Sequence, residues 1–378
     1  MRTKYDVLFM LRSVYSYPSG AYRVIFKICE AIGKLGYKPA ILFVHDLNAA
    51  FLKYNHENIG IDTNYMGKKN NKIKDLIWKA LGFRITFNLF MPVLRAIKGY
   101  PQNTFPRKVS TFFSLRVLKR VRFSKIVATN WQSAFIITDI KPKSELYFFL
   151  QVEEDNPLFS GNFSQIANAS YSLPLKKIVI TDQMMSKIND PFTKRIHVGI
   201  DESIFRLTTD VKQRDLKIII MLRTGQFKGS ELGINAARLI RSKSPSIKIV
   251  GVGDLKKNDV PDFIEYLGFV TQDLLSSLFN SSLVFILPSY LEQWGLPILE
   301  SMACGCAVVV NKGVAFEVAT ELNAFLTDPT PECISKSVFF LLENKQYRYK
   351  IVDEGIKTSI KYSYSNMVKE FITILNEK

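Results

Sequence analysis

Short apolar runs alternate with longer amphipathic stretches along most of this chain, and the rhythm predicts repeated strand–helix–strand units. The first run, residues 6–11 (DVLFML), leads into a loop with Pro18 and Gly20. A helical pattern follows over residues 22–35, stopped at Gly36, and residues 39–44 (PAILFV) are apolar again. Strand, helix and strand in that order imply a parallel sheet, because parallel neighbours need a crossover connection. Residues 126–128, 146–150 and 177–181 read as further strands of the same sheet. Residues 200–214 are polar and lack a clear period, which marks a domain boundary.

A second series then begins. Residues 217–222, 247–252, 283–287 and 307–310 read as strands, residues 232–240, 274–279 and 296–304 as helices, and helical patterns over 332–342, 346–360 and 365–375 close the chain. The expectation is an α/β protein of two Rossmann-like, doubly wound domains facing a cleft. The expected bounds are residues 1–205 for the N-terminal domain and residues 206–360 for the C-terminal one, with the final helix, 361–378, packing back on the first. Doubly wound sheets take ligands beyond the carboxyl ends of their strands, so the chemistry belongs in the loops that follow them.

Bulk properties change this picture in one place. A chain of 378 residues, 47% hydrophobic, can bury two cores. Its formal charge of +17 is uneven: residues 67–126 hold 15 Lys or Arg against a single acid, Asp75, so 15 − 1 = +14 resides there. Within that segment, residues 76–98 interleave Trp78, Phe83, Phe87 and Phe90 with Lys79, Arg84, Arg95 and Lys98. The mixture suits an interfacial element on anionic lipid. Aromatics filling a core beneath solvated cations are the alternative. No run of about 18 uncharged apolar residues is present to span a membrane, and the four cysteines, Cys29, Cys304, Cys306 and Cys333, show neither zinc spacing nor a disulfide framework. The expectation is a cytoplasmic protein, peripheral on the inner face of the cell membrane.

The most informative stretch is residues 289–310, SYLEQWGLPILESMACGCAVVV. A buried strand ends in Pro288-Ser289. A loop with Glu292, Gln293, Trp294 and Gly295 leads into a helix at Leu296, and Pro297 falls in the first turn, where its missing N–H costs nothing. Free amides and the axial dipole at a helix start favour a phosphate. Glu300, seven intervening residues after Glu292, can accept hydrogen bonds from the two ribose hydroxyls; complementing the helix dipole is its simpler role.

This block resembles the E-x7-E signature of family 4 of the retaining glycosyltransferases, which have the GT-B fold. A second family signature is a basic pair after the first strand of the C-terminal domain, matched here by Arg223 and Lys228 in MLRTGQFKG. The resemblance implies that this pair binds the donor diphosphate, and two cations there can stabilise a leaving pyrophosphate. Gly251-Val252-Gly253-Asp254, residues 266–270 (YLGFV), Glu317, residues 323–329 and residues 197–205 (HVGIDESIF) are similar to other stretches of the family. Residues 147–159, YFFLQVEEDNPLF, are similar to a stretch of bacterial rhamnosyltransferases that build surface glycans, which implies a deoxythymidine-diphosphate rhamnose donor.

The pattern departs in the N-terminal half. Where many members carry a His near the reacting sugar, this chain has Gln151, which can donate a hydrogen bond but not a proton near neutral pH. His45 follows a strand and reads as a strand-end polar residue or a site residue; His56 reads as surface. The family's Gly-Gly loop is reduced to Ser19-Gly20-Ala21, and Gly20 still permits close approach of a phosphate. The acidic run Glu153-Glu154-Asp155 is either a solvated loop or a group that contacts the acceptor or serves as base. With no D-x-D in the chain, no metal and no cofactor are expected. The expected catalytic set is Glu292, Arg223, Lys228 and Gln151. The donor set is Gly20, Arg223, Lys228, Gly253, Gln293, Trp294, Gly295, Leu296 and Glu300. The expected partners are a nucleotide-sugar donor, a glycan or lipid-linked acceptor and an anionic membrane, with no nucleic acid, since a basic stripe without a recognition motif leaves the acids and cations of the C-terminal half unexplained. A catalytically inactive partner of the same fold is the alternative.

Overall fold

The computed structural model describes residues 4–11, 20–43, 122–140, 143–160 and 164–377. The chain divides into two compact units, Met1–Ile196 with Glu370–Lys378, and His197–Lys369. The dividing point lies nine residues before the 205/206 boundary suggested by composition (205 − 196).

The first unit carries β1 (Lys4–Leu11), α1 (Gly20–Lys34), β2 (Pro39–Phe43), β3 (Arg122–Ala128), α2 (Trp131–Ile140), β4 (Glu145–Leu150), β5 (Lys176–Val179), α3 (Asp182–Ile188) and β6 (Lys194–Arg195). Its sheet runs β2-β1-β3-β4-β5-β6, every pair parallel. Strands covered on both faces read as continuous apolar runs rather than alternating ones, as Val7–Leu11 and Tyr147–Leu150 do: all nine are buried. Helix α1 buries Val24, Ile25, Phe26, Ile28, Cys29 and Ile32, which recur at helical spacing. The chain's end returns here: Phe371 stacks on Phe9 with centroids 5.8 Å apart and packs at the same distance against Phe149.

The second unit carries β7 (Lys217–Leu222), α4 (Ser230–Lys243), β8 (Lys248–Gly253), β9 (Glu265–Tyr266), α5 (Gln272–Ser281), β10 (Val284–Leu287), α6 (Leu296–Ala303), β11 (Ala307–Asn311), β12 (Phe325–Thr327), α7 (Pro331–Glu343) and α8 (Lys345–Lys361). Helix α9 (Tyr364–Asn376) starts in this unit and ends in the first. The sheet order is β12-β11-β10-β7-β8-β9, again parallel throughout. The chain winds from β7 outward through β8 to β9, then returns to the other side of β7 and continues through β10 to β12. The winding reverses between β7 and β10, which opens a crevice at the carboxyl ends of those two strands.

The polar stretch at 200–214 is anchored rather than loose. Arg214 Nη1 donates to the carbonyls of Phe279, Ser282 and Gly305, and Nη2 to those of Thr209 and Cys304. One guanidinium thus satisfies five carbonyls, a use of its fixed fork of donors. Among the described residues no helix is long and apolar enough to cross a membrane. His45, His56, Pro18, Ser19 and the basic segment up to residue 121 lie outside the described residues.

Candidate functional site

The crevice between β7 and β10 is built by two loops that lock together. Leu222 ends β7, and Arg223 follows at once. Ser230 Oγ lies 2.6 Å from both the amide and the carbonyl oxygen of Arg223, so one hydroxyl accepts from the first and donates to the second. The turn then needs glycine twice: Gly225 has φ 103° and Gly229 has φ 63°. At Gly229 a Cβ would fall 2.0 Å from Pro288 O, so the first loop lies directly on the end of β10. From the other side Tyr290 N donates to Phe227 O at 2.8 Å. Asn311, closing β11, donates through Nδ2 to the carbonyls of Pro288 at 3.0 Å and Ser289 at 2.9 Å.

These contacts bring Lys228 and Glu292, 64 residues apart in sequence, to a 2.7 Å ion pair whose side chains are 12% and 15% exposed. Ser289 Oγ donates to the same carboxylate oxygen at 3.1 Å. Burial lowers the Lys228 ammonium's pKa below its ordinary 10.5, the attraction of Glu292 opposes that, and the nearby positive charge of Arg223 adds to the lowering. Lys228 and Glu292 are thus largely buried, with Arg223 and Asp254 close enough for their charges to be felt, and charges interact more strongly there than in open water.

The helix that follows, α6, starts behind Gly295, whose φ is 78°. A Cβ there would stand 2.8 Å from Ile298 Cδ1 and 3.1 Å from Ala315 Cβ. Pro297 occupies the first turn, and Gly305, at φ 73°, follows the helix end. Gln293 is half-buried in the loop, while Leu296 is 8% exposed. Two residues expected in the donor set meet a buried setting. The Trp294 indole is 4% exposed and donates from Nε1 to Val198 O at 2.7 Å. It stands edge-on to Tyr362 at 5.2 Å, so a donor contact by this side chain would break an interior packing cluster. Glu300 is 1% exposed, in the middle of α6. Burial pushes the Cys304 thiol up to about 11, and the charge of Glu300 contributes to that rise.

A third strand end joins the same loops. At Gly253, the last residue of β8, a Cβ would lie 1.7 Å from Leu222 O. Glycine is required for that approach, so its first role is to seat β8 against β7. Asp254 N then donates to Leu222 O at 3.1 Å, and the Asp254 carboxylate accepts from Thr224 N at 2.6 Å and Thr224 Oγ1 at 3.1 Å. Thr224, Ser230, Asp254, Ser289 and Asn311 were not singled out from the sequence for this role. Small polar side chains near strand ends carry no spacing signal of their own; the one clue was the G-x-G-D string.

In the first unit, Gln151 follows β4, is 9% exposed and donates from Nε2 to Ala21 O at 3.2 Å. That bond brings Gln151 beside the start of α1, where Gly20 stands. The acidic run is not a solvated loop. Glu153 and Glu154 are 7% and 8% exposed. Lys187 bridges Glu153 at 3.2 Å and Asp155 at 2.8 Å, and Tyr171 OH donates to Asp155 at 3.0 Å. Buried carboxylates need such partners, which is why this run turns inward onto α3.

Comparison with known proteins agrees with this geometry. Residues 204–358 match the family described as Glycosyl transferases group 1. The matched stretch contains both loops of the crevice, Arg223, Lys228, Glu292 and Glu300. Over 199 residues the chain is 29% identical to an uncharacterized glycosyltransferase of Methanocaldococcus jannaschii, covering 49% of this chain and 51% of that protein. It is 29% identical over 111 residues to O-antigen chain mannosyltransferase B of Escherichia coli, covering 29% of each. The matched region thus spans about half the length of the first relative and less of the second. The fold is that of GT-B glycosyltransferases: Anabaena HepE, solved in complex with UDP and glucose, superposes with a TM-score of 0.72 at 14% identity over 98% of this chain and 99% of that one.

Proposed function

We propose that this chain is a retaining glycosyltransferase of the family 4 type that uses a nucleoside-diphosphate sugar. The observation that carries the reading is the Lys228–Glu292 pair, beside Arg223, at the winding reversal of a Rossmann-ordered sheet. A diphosphate reaching that point supplies Lys228 with a second anion and lies before the start of α6, where the dipole favours negative charge. Arg223 and Lys228 then stabilise the charge that develops on the leaving diphosphate without a metal. Glu292, released from Lys228, is left to hydrogen-bond the transferred sugar, and Glu300 serves the ribose. The group 1 match over 204–358 and the UDP and glucose bound by the structural neighbour HepE support a donor of this class.

The finer reading comes from the sequence. The likeness of residues 147–159 to rhamnosyltransferases supports a deoxythymidine-diphosphate rhamnose donor and a surface-glycan acceptor, glycan or lipid-linked. The +14 charge over residues 67–126 supports peripheral contact with an anionic membrane on the cytoplasmic side. Incubation of the protein with UDP-, GDP-, ADP- and dTDP-sugars, following release of the nucleoside diphosphate, tests the activity; NMR of the anomeric proton of the product tests retention. Release from one sugar class, abolished by Lys228→Ala, is expected. No release from any donor, with or without an added glycan or lipid-linked acceptor, contradicts the reading and favours an inactive partner of this fold.

A further inference from the structure

We propose that Asp254 is a positioning residue for the Arg223–Lys228 loop: it latches the end of β8 to Thr224 and so fixes where the two cations stand. The inference rests on the donor-site reading above. Three observations lead to it. First, only a residue without a Cβ at position 253 lets β8 approach β7 so closely, since a Cβ there would lie 1.7 Å from Leu222 O. That approach delivers Asp254, whose amide bonds Leu222 O at 3.1 Å. Second, the Asp254 carboxylate takes both hydrogens that Thr224 offers, at 2.6 Å and 3.1 Å. Third, Ser230 holds the neighbouring Arg223 by its amide and its carbonyl, both at 2.6 Å.

The amides of residues 223 and 224 are therefore occupied by side-chain oxygens. Unlike a glycine-rich phosphate loop that presents its own amides, this loop meets an anion at these positions with the Arg223 side chain, and with Lys228 four residues after Thr224, and their placement depends on the latch. A carboxylate near the phosphate site is electrostatically unfavourable for an anion, and Asp254 is close enough to Lys228 for its charge to support the protonated ammonium. Its presence beside an anion site makes sense if the two hydrogen bonds are worth more than the repulsion.

The two roles have opposite signs, which makes the test decisive. Asp254→Asn removes the charge but keeps an oxygen to accept from Thr224 N. Asp254→Ala removes both. If Asp254 were only a neighbouring charge, both variants would bind a nucleoside diphosphate more tightly than wild type. If it positions the loop, Asp254→Ala binds about tenfold more weakly, the loss of roughly two net hydrogen bonds, while Asp254→Asn stays within a few-fold of wild type. The full-length protein is titrated calorimetrically with UDP, GDP, ADP and dTDP, with the matching nucleosides as controls that lack the phosphates. Weakening confined to the diphosphates supports the latch; equal or tighter binding by Asp254→Ala overturns it. Should wild type bind none of the four, the donor reading fails first. The latch is then judged by hydrogen exchange without ligand: the Thr224 amide exchanges at least about fivefold faster in Asp254→Ala if it is latched, and unchanged exchange overturns the proposal.

Discussion

The two units share an architecture but use the carboxyl edges of their sheets in opposite ways. In the second unit the strand ends bring Arg223, Lys228 and Glu292 together, and the only carboxylate bonded to Lys228 among the described contacts stands in the crevice itself. In the first unit the described residues after β4 turn to internal partners. Gln151 is bonded to Ala21 O, Lys187 pairs with Glu153 and Asp155, Tyr171 donates to Asp155, and the Trp131 amide faces the Glu154 carboxylate. Parallel winding alone therefore does not make a binding site. What distinguishes the second unit is that its paired cation, Lys228, stands near a second one, Arg223, and the proposed reading gives that pair a ligand.

The comparison is broken most directly at Lys228. Lys228→Ala removes the buried cation, leaves Glu292 without its ion partner, and is expected to weaken nucleoside-diphosphate binding by about 100-fold, or about 3 kcal/mol, by calorimetry. Gly253→Ala tests whether the β7–β8 approach is obligatory. With no room for a Cβ, it should lower the second unit's stability by about 2–4 kcal/mol in urea titration, and a smaller change would mean the strand ends can separate. Glu292→Gln should bind nucleoside diphosphate a few-fold more tightly, about 1 kcal/mol, because the anion no longer displaces a carboxylate, while glycosyl transfer falls. Opposite changes in affinity and turnover would separate these two roles.

The smallest effect belongs to the first unit. Around Lys187 burial works against the charge, but hydrogen bonds to Asp155 and Glu153 outweigh it and hold the ammonium's pKa above its ordinary value. Its side chain is 36% exposed, so the network's worth is discounted for solvent screening. Lys187→Ala should cost about 1 kcal/mol of stability and leave nucleotide affinity unchanged. A drop in nucleotide affinity would show that the first unit's acids are not merely structural.

How much of this was legible in the chain follows the same division. Strands buried on both faces announce themselves as apolar runs, and β7 was read to the residue as Lys217–Leu222. Helix α2 (WQSAFIITDI) escaped notice because it is apolar on nearly every side and shows little period. Strands β6 and β9 have two residues each, too few for any pattern. At the site, Arg223, Lys228 and Glu292 could be chosen because the loops that hold them resemble two signatures of a known family; an Arg and a Lys five positions apart carry no signal alone. The residues that aim them could not, because Thr224, Asp254 and Asn311 act only through tertiary contacts that span 30 residues in one case and more than 20 in another. The side chain of Trp294 was assigned to the donor because of its neighbours in sequence, whereas the fold uses its large apolar surface and single N–H to close an interior cluster.

The measurement that bears most directly on the central claim is calorimetric titration of the wild-type protein with UDP, GDP, ADP and dTDP at two salt concentrations. The account predicts that one of them binds, that affinity falls as salt rises because Arg223 and Lys228 meet the phosphates, and that the corresponding nucleoside without phosphates binds far more weakly. Binding of nucleoside and nucleoside diphosphate with equal affinity, or of none at all, would contradict the assignment of this crevice to a diphosphate.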